Sequence, residues 1–385
     1  MLDVDFLKKD IQMFKKVFES EVLFTGYYGQ LNTGDDAFVV VADWGVKKYW
    51  NKSSNRFLAI KKNLPEVSGL NGYPFSFPRT YSSQNKLLIS NTNYLISAGG
   101  STIHSALPQN SIKQLALNEK RNGSKIKIGG IGVSIGPFKT SKDEKSVIEY
   151  LRNIDFLAVR DQRSYDFIEH LNLPYKPINS FDLAALLPKI YGNNEKKNVR
   201  NGIKTIGVSV CPVESIVGGN IEREKQRNKN TLELLKLLDQ KEDIHFKFFI
   251  INGNSKVGDL NLTKEIIART QPKSYELVGY NRNTNYMWDE ISKCDFVIST
   301  RLHAAIFACF SNTPFMLNEY HIKCSDFLDD VGYNMNYRLY DYDYDVVEKA
   351  NMILEVLNQS SNYILPLNVQ SMIKKSELNF LGIDI

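Results

Sequence analysis

Short apolar runs alternate with longer amphipathic segments along most of this chain, and that alternation does most to restrict its fold. "EVLFTGYYG" reads as a strand running into a glycine turn, and "DDAFVVVADWGVKKYW" as the helix after it. "NYLISAGG", "IKIGGIGVSIG" and "DFLAVRD" read as further buried strands, with "NSIKQLALNEK", "KSVIEYLRN" and "RSYDFIEHL" supplying helical spacing. The polar stretch Tyr191–Lys204 predicts a linker. Beyond it "TIGVSV", "IHFKFFII", "SYELVG", "DFVIST" and "PFMLNEY" alternate with the helical "NTLELLKLLDQ", "NYMWDEISK" and "LHAAIFACF". Strands so uniformly apolar, each followed by a helix, belong in parallel sheets covered on both faces. The expected architecture is α/β, with two doubly wound, Rossmann-like domains, 1–195 and 196–385, facing a cleft. A chain of 385 residues agrees, since it exceeds what one core usually serves.

Several classes drop out early. A net charge of +5, from 48 basic and 43 acidic residues, is too mild for a nucleic-acid partner but suits a small anion or an anionic membrane. Cys211, Cys294, Cys309 and Cys324 form no C-x-x-C pair and read as buried thiols in a reducing, cytoplasmic setting. No apolar run has the length of a membrane span, and lysines interrupt the N-terminal one. Phe6, Met13, Phe14 and Val17 beside Lys8, Lys9, Lys15 and Lys16 suggest a stripe that lies on a membrane or docks on the first domain. "YDYDYD" (Tyr340–Asp345) reads as a loop entering a helix, and the charge run Ile221–Asn230 as a solvated face or mobile loop.

Chemistry concentrates where strands end. "GYYGQLNTGDDA" crowds Gly26, Gly29 and Gly34 at a strand-to-helix turn with Asn32 and Asp35. The spacing is not that of a dinucleotide fingerprint, which disfavours an oxidoreductase, and Asp35 as a helix cap is the competing explanation. "SAGGSTIH" places Gly99, Gly100 and Ser101 at a second strand end, near His104, although a lone histidine is more often structural. Arg160 ends a third strand and either holds an anion or pairs with Asp161 or Asp182. The strongest candidate is "STRLHAA". Arg301 and His303 there meet the N-terminus of a helix, whose dipole favours an anion and disfavours an imidazolium. Arg301 adds a two-point fork suited to phosphate or carboxylate.

"GYYGQLNTGDDA", "AGGS", "IGVSIGPF", "VRDQRSYDFI", "GVSVCP" and "CDFVISTRLHAAIFACFSNTPFMLNEYHIKCSDFLDDVG" follow one another in a set order. In that order and content the chain resembles the polysaccharide pyruvyltransferase family over nearly its whole length. The resemblance implies a glycosyltransferase-B-like fold. It also implies a reaction in which phosphoenolpyruvate gives its pyruvyl group to two hydroxyls of one sugar, forming a cyclic ketal and phosphate. The family's Arg-Leu-His falls on Arg301, Leu302 and His303, and its lysine after the tyrosine on Lys323. Where family members often carry an arginine, this chain has Cys211, so Arg160, Arg223 or Lys323 would share the donor grip.

The expected roles follow from that chemistry. His303 moves protons, Arg301 stabilises the departing phosphate, and Asp35 orients or deprotonates an acceptor hydroxyl. Arg301, Leu302, His303, Lys323, Arg160 and Cys211 form the donor side. Asn32, Asp35, Gly100 and Ser101 form the acceptor side, on the N-terminal domain. No metal or other cofactor is expected, because no ligand cluster is visible. The acceptor implied is a sugar of a bacterial surface polysaccharide or its precursor, either lipid-linked, free or nucleotide-linked, and peripheral contact with the inner membrane face would fit the first. Two alternatives are a nucleotide-sugar-dependent glycosyltransferase of the same fold and a non-catalytic binding protein.

Overall fold

A computed structural model describes residues 16–192 and 203–385. Most of the N-terminal stripe (Phe6, Lys8, Lys9, Met13, Phe14, Lys15) and the centre of the predicted linker lie outside the described residues. Two compact units emerge. The first comprises the described residues up to Gly29, Phe38–Leu183 and Lys374–Ile385; the second comprises Gln30–Ala37 and Ala184–Ile373.

The first unit is built on strands β1 (Ser20–Thr25), β2 (Asn55–Phe57), β3 (Thr92–Ile103), β4 (Lys127–Ile135), β5 (Phe156–Val159) and β6 (Ile178–Asn179), in the sheet order β2-β1-β3-β4-β5-β6. Every pairing among them is parallel. The order reverses between β1 and β3, so that is the topological switch point. β4 is buried along its length except at Lys127, which is how a strand covered on both faces should read. Helices Ile112–Arg121 and Ser141–Asn153 pack Ala116, Leu117, Val147 and Leu151 against Ile128, Val133 and Leu157 of the sheet. Ser111 and Thr140, accepting from Gln114 and Asp143 N–H groups, start those helices.

The second unit repeats the plan with β7 (Lys204–Ser209), β8 (Ile244–Phe249), β9 (Tyr275–Val278), β10 (Phe296–Ser299) and β11 (Phe315–Leu317), in the order β11-β10-β7-β8-β9 and again all parallel. Here the switch point lies between β7 and β10. The helix Leu302–Phe310 is buried at every position except the half-buried His303, so it belongs to the core by composition. Phe307 and Trp288 are fully buried there with rings 5.8 Å apart. Each such aromatic stabilises the fold by about 1.5–3 kcal/mol through burial alone.

The two units exchange segments, and here the division differs from the expected 1–195 and 196–385. Thr33 N–H donates to the Ile251 carbonyl at 2.9 Å and Gly253 N–H to the Leu31 carbonyl at 2.8 Å, which fixes residues 31–33 beside the chain leaving β8. Asn379 Oδ1 in turn accepts from Gly132 N–H at 2.6 Å and from the Ser180 hydroxyl at 2.8 Å, which ties residues 374–385 to the first unit. Hydropathy periodicity carries no information about such long-range backbone pairings.

One other expectation is narrowed and one is met. The charge run from Ile221 is the first half of the helix Ile221–Lys241: Glu222, Arg223, Lys225, Gln226 and Lys229 form the solvated face, while Glu224, Arg227 and Asn230 turn to a buried one. Tyr340–Asp345 is a loop, and Asp345 caps the helix Val346–Asn358 by accepting from Val347 and Glu348 N–H groups.

Candidate active site

In the second unit the carboxyl ends of β7 and β10 flank the switch point, the place where ligands bind in doubly wound sheets. Cys211 lies two residues beyond β7, and Arg301 two residues beyond β10. Arg301 is the N-cap residue of Leu302–Phe310 but makes no side-chain capping bond. Its guanidinium is turned instead onto Asp259, with Nε donating to both carboxylate oxygens at 3.0 and 3.2 Å and an Nη completing the fork. Asp259 is fully buried and also accepts from Asn252 N–H at 2.8 Å. Burial raises its carboxyl above the ordinary range, while the facing guanidinium pulls it back down. Asp259 thus aims the arginine, whose side chain keeps 19% exposure.

His303 follows on the first turn of that helix and is half-buried. Gly34 is the reason its ring fits: a Cβ at Gly34 would lie 2.1 Å from His303 Nδ1. Gly34 belongs to the start of the helix Thr33–Trp50, where Asn32 Oδ1 accepts from its N–H at 3.0 Å. The capping expected of Asp35 is therefore done by Asn32, and Asp35 sits half-buried in the first turn. Its neighbour is the more perturbed group. Asp36 is 1% exposed and accepts from the Tyr280 hydroxyl at 2.6 Å. Burial lifts its carboxyl from 3.8 to about 7, with Asp35 adding to the rise and Tyr280 and Arg282 opposing it.

Cationic side chains surround Cys211. Its thiol, 1% exposed, is pushed up by burial and pulled back by Arg301, Lys323 and Arg227. Tyr320 lies among the same groups, with Arg227 5.4 Å and Lys323 5.5 Å from its ring centroid. Lys323 is held in the first turn of the helix Ile322–Asp330, where the His321 side chain accepts from its N–H. Arg227 is fully buried, forked onto Glu214 (2.7 and 3.1 Å) and bonded to Asp341 at 2.6 Å. Arg223 takes the second Asp341 oxygen at 2.7 Å. A permanent cation is therefore retained near Cys211 although position 211 itself supplies none.

In the first unit Arg160 follows β5 and is 7% exposed. It pairs with Asp182 at 2.8 Å, donates through Nε to the Ser134 hydroxyl at 2.7 Å, and reaches the Ser101 hydroxyl at 3.3 Å. Asp161 instead caps Gln162–Glu169 and accepts from Ser134. Gly99 and Gly100 both have φ of +75°, and a Cβ at Gly99 would lie 2.3 Å from Phe38, so those glycines shape the end of β3. His104 Nδ1 sits 2.9 Å from the Ser101 carbonyl. Lys113 is buried on the Thr102 carbonyl at 2.8 Å, its amine lowered to about 8 by desolvation.

The sites expected from the sequence are thus regrouped. Asn32 and Asp35 share the second unit with Arg301, Leu302, His303, Cys211 and Lys323; Gly100 and Ser101 share the first with Arg160. This corrects the assignment of all four acceptor residues to the N-terminal domain, and it follows from the pairing of residues 31–33 with 251–253. Asp36, Tyr280, Asp259, Arg227 and Lys113 were not singled out in the sequence. Only Asp36 carried a signal, as the second carboxylate of "GDDA" at a helix start. Among the described residues no group of three or more His, Cys, Asp or Glu could hold a metal ion, and no helix is long and apolar enough to cross a membrane.

Comparison with known proteins bears on both fold and family. No curated protein matches the chain by sequence. A protein of Listeria monocytogenes described as a UDP-N-acetylglucosamine 2-epimerase superposes with TM-score 0.60 at 7% identity, covering 95% of this chain and 98% of its own. The UDP-GlcNAc 2-epimerase of Neisseria meningitidis bound to UDP-GlcNAc gives 0.58 at 10% identity, covering 93% and 98%. Anabaena HepE in complex with UDP and glucose gives 0.53 at 12% identity, covering 93% and 95%. These likenesses establish the glycosyltransferase-B-like fold class. The sequence matches the family described as Polysaccharide pyruvyl transferase over residues 29–321.

Proposed function

Because the chain belongs to the polysaccharide pyruvyl transferase family, we propose that it transfers the pyruvyl group of phosphoenolpyruvate to two hydroxyls of one sugar as a cyclic ketal. The observation that carries this reading is Arg301, aimed by the buried Asp259 at the switch-point edge, with His303 two residues on. A donor bearing both a phosphate and a carboxylate needs fixed cations, and Arg301, Lys323 and the start of the Leu302–Phe310 helix supply them. Leu302, 7% exposed, anchors that helix end in the core, and Cys211 contributes a neutral thiol.

In this mechanism a proton is delivered to the methylene carbon of the donor, leaving an oxocarbenium-like centre. One sugar hydroxyl adds there, the carbon–oxygen bond to phosphate breaks, and the second hydroxyl closes the ring. Of the two hydroxyl protons, one balances the new methyl group and the other leaves with phosphate or solvent. His303 is the group assigned to carry them, and Asp35 orients the acceptor. Asn32, which caps the helix that carries Asp35, stands with it on the acceptor side. The acceptor is a surface-polysaccharide sugar or its precursor, and the protein works in the cytoplasm.

Calorimetric titration tests the reading. Saturable binding of phosphoenolpyruvate that is weakened at least about tenfold in Arg301→Lys supports it, because an ammonium lacks the planar fork. Binding of UDP with none of phosphoenolpyruvate would instead make the protein a nucleotide-sugar glycosyltransferase of the same fold.

A further inference from the structure

The connection between β2 and the helix Tyr81–Ser90 departs from the usual chemistry of a soluble surface. Phe77 is 69% exposed and Phe75 41% exposed, in the stretch "YPFSFPRTY". Neither is on a loose loop. Tyr73 stacks on Tyr81 with centroids 4.2 Å apart, and its hydroxyl donates to Asn85 at 3.0 Å. Phe75 N–H donates to Gln84 Oε1 at 3.0 Å, and Gln84 Nε2 returns a bond to the Phe75 carbonyl at 2.8 Å. Thr80 closes the tip, its N–H and hydroxyl both reaching the Phe77 carbonyl, at 2.9 and 2.7 Å. A buried glutamine thus fixes the Phe75 backbone, whose ring leans on Phe18 with centroids 6.0 Å apart, and Thr80 fixes Phe77, so little ordering entropy is left to lose on binding.

The surrounding charge is predominantly positive. Arg79 and Lys86 are exposed on the loop and the following helix. Lys61 and Lys62, also exposed, form the turn against which Gly72 packs; a Cβ at Gly72 would lie 2.7 Å from Lys61 N. Glu66 is the sole acidic residue between Lys61 and Ser90 in the sequence. We propose that this loop docks the protein on an anionic lipid surface, with Phe75 and Phe77 entering the acyl boundary and Lys61, Lys62, Arg79 and Lys86 against the headgroups. Protruding aromatics ringed by cations match a fluid apolar layer beneath anionic groups, which needs no complementary pocket. The inference stands apart from the pyruvyl-transfer reading, since it concerns where the protein works and not what it transfers.

Sedimentation of the full chain with mixed phosphatidylcholine–phosphatidylglycerol vesicles, against pure phosphatidylcholine, tests it. The wild type should bind the mixed vesicles, less as salt rises, and bind the neutral ones weakly. Phe77→Ser, at a position too exposed to support the core, should lower the partition coefficient about tenfold with an unchanged melting temperature. Arg79→Ser with Lys86→Ser should lower it too and flatten the salt dependence. Failure of the wild type to bind mixed vesicles overturns the proposal. Equal binding by wild type and Phe77→Ser does so as well, and would transfer the contact to residues 1–15.

Discussion

Asp36→Asn should stabilise the second unit above neutral pH and leave it nearly unchanged in acid. The Asp36 carboxyl is raised from 3.8 to about 7 in the folded protein, chiefly by burial. Between those values the folded chain holds a proton that the unfolded chain has lost, so stability falls as pH rises. At about 1.36 kcal/mol per unit the whole gap is worth roughly 4 kcal/mol, of which roughly 2.5 kcal/mol falls between pH 5 and pH 8. Tyr280, Arg282, Asp35 and Tyr191 are the titratable or charged groups that face it, and only Tyr280 and Arg282 favour the charged form. Asparagine keeps the shape and an acceptor for the Tyr280 hydroxyl but cannot ionise. Of the three tryptophans, Trp288 alone lies in the second unit. Urea unfolding followed by fluorescence in a Trp44→Phe, Trp50→Phe background therefore reports that unit. The advantage of Asp36→Asn over Asp36 should widen steadily from pH 5 to pH 8. An unchanging difference would mean that Asp36 is ionised throughout, and the argument from burial would fail.

Three further outcomes follow from the site. Arg301→Lys should slow turnover as well as weaken phosphoenolpyruvate binding, since the ammonium cannot match Asp259 and a ligand at two points; wild-type affinity by calorimetry would remove Arg301 from the donor site. His303→Ala should lower phosphate release on the order of a hundred- to ten-thousand-fold, with melting temperature and donor affinity close to wild type. Near-normal turnover would exclude it from proton transfer, and collapse of the fold would return it to the core. Gly34→Ala sets a methyl against the His303 ring and should cost about 1–3 kcal/mol of stability by overpacking, or displace the ring and lower turnover at unchanged donor affinity. Wild-type stability and turnover together would show that the ring is not wedged there.

The fold was legible because parallel strands are apolar along their length and each is punctuated by a helix: "DFVIST" and "IGGIGVSI" could hardly be anything else. Arg301 and His303 were legible for the same reason, as polar residues interrupting two buried elements. What lay hidden depends on distant partners. Asp259 looks like any loop aspartate until Arg301 arrives from 42 positions away, and Tyr280 reaches Asp36 across 244. Arg227 sits in a run of charges whose spacing gives no hint that one face will be sealed by Glu214 and Asp341. Asp35 and Asp36 differ only in helical phase, which local sequence does not set to the degree needed.

The exchange of segments has a consequence for synthesis. Residues 31–33 leave the ribosome long before residues 251–253, whose backbone they pair with, and must stay unpaired meanwhile. The first unit faces the reverse delay: the Asn379 amide that satisfies Gly132 and Ser180, and the Phe380 carbonyl that receives the Trp50 indole at 2.9 Å, emerge only after the whole second unit. Neither half can therefore finish in the order it is made. Cutting the gene between the two units would yield a front piece missing its last helix contacts and a rear piece missing the glycine that seats His303.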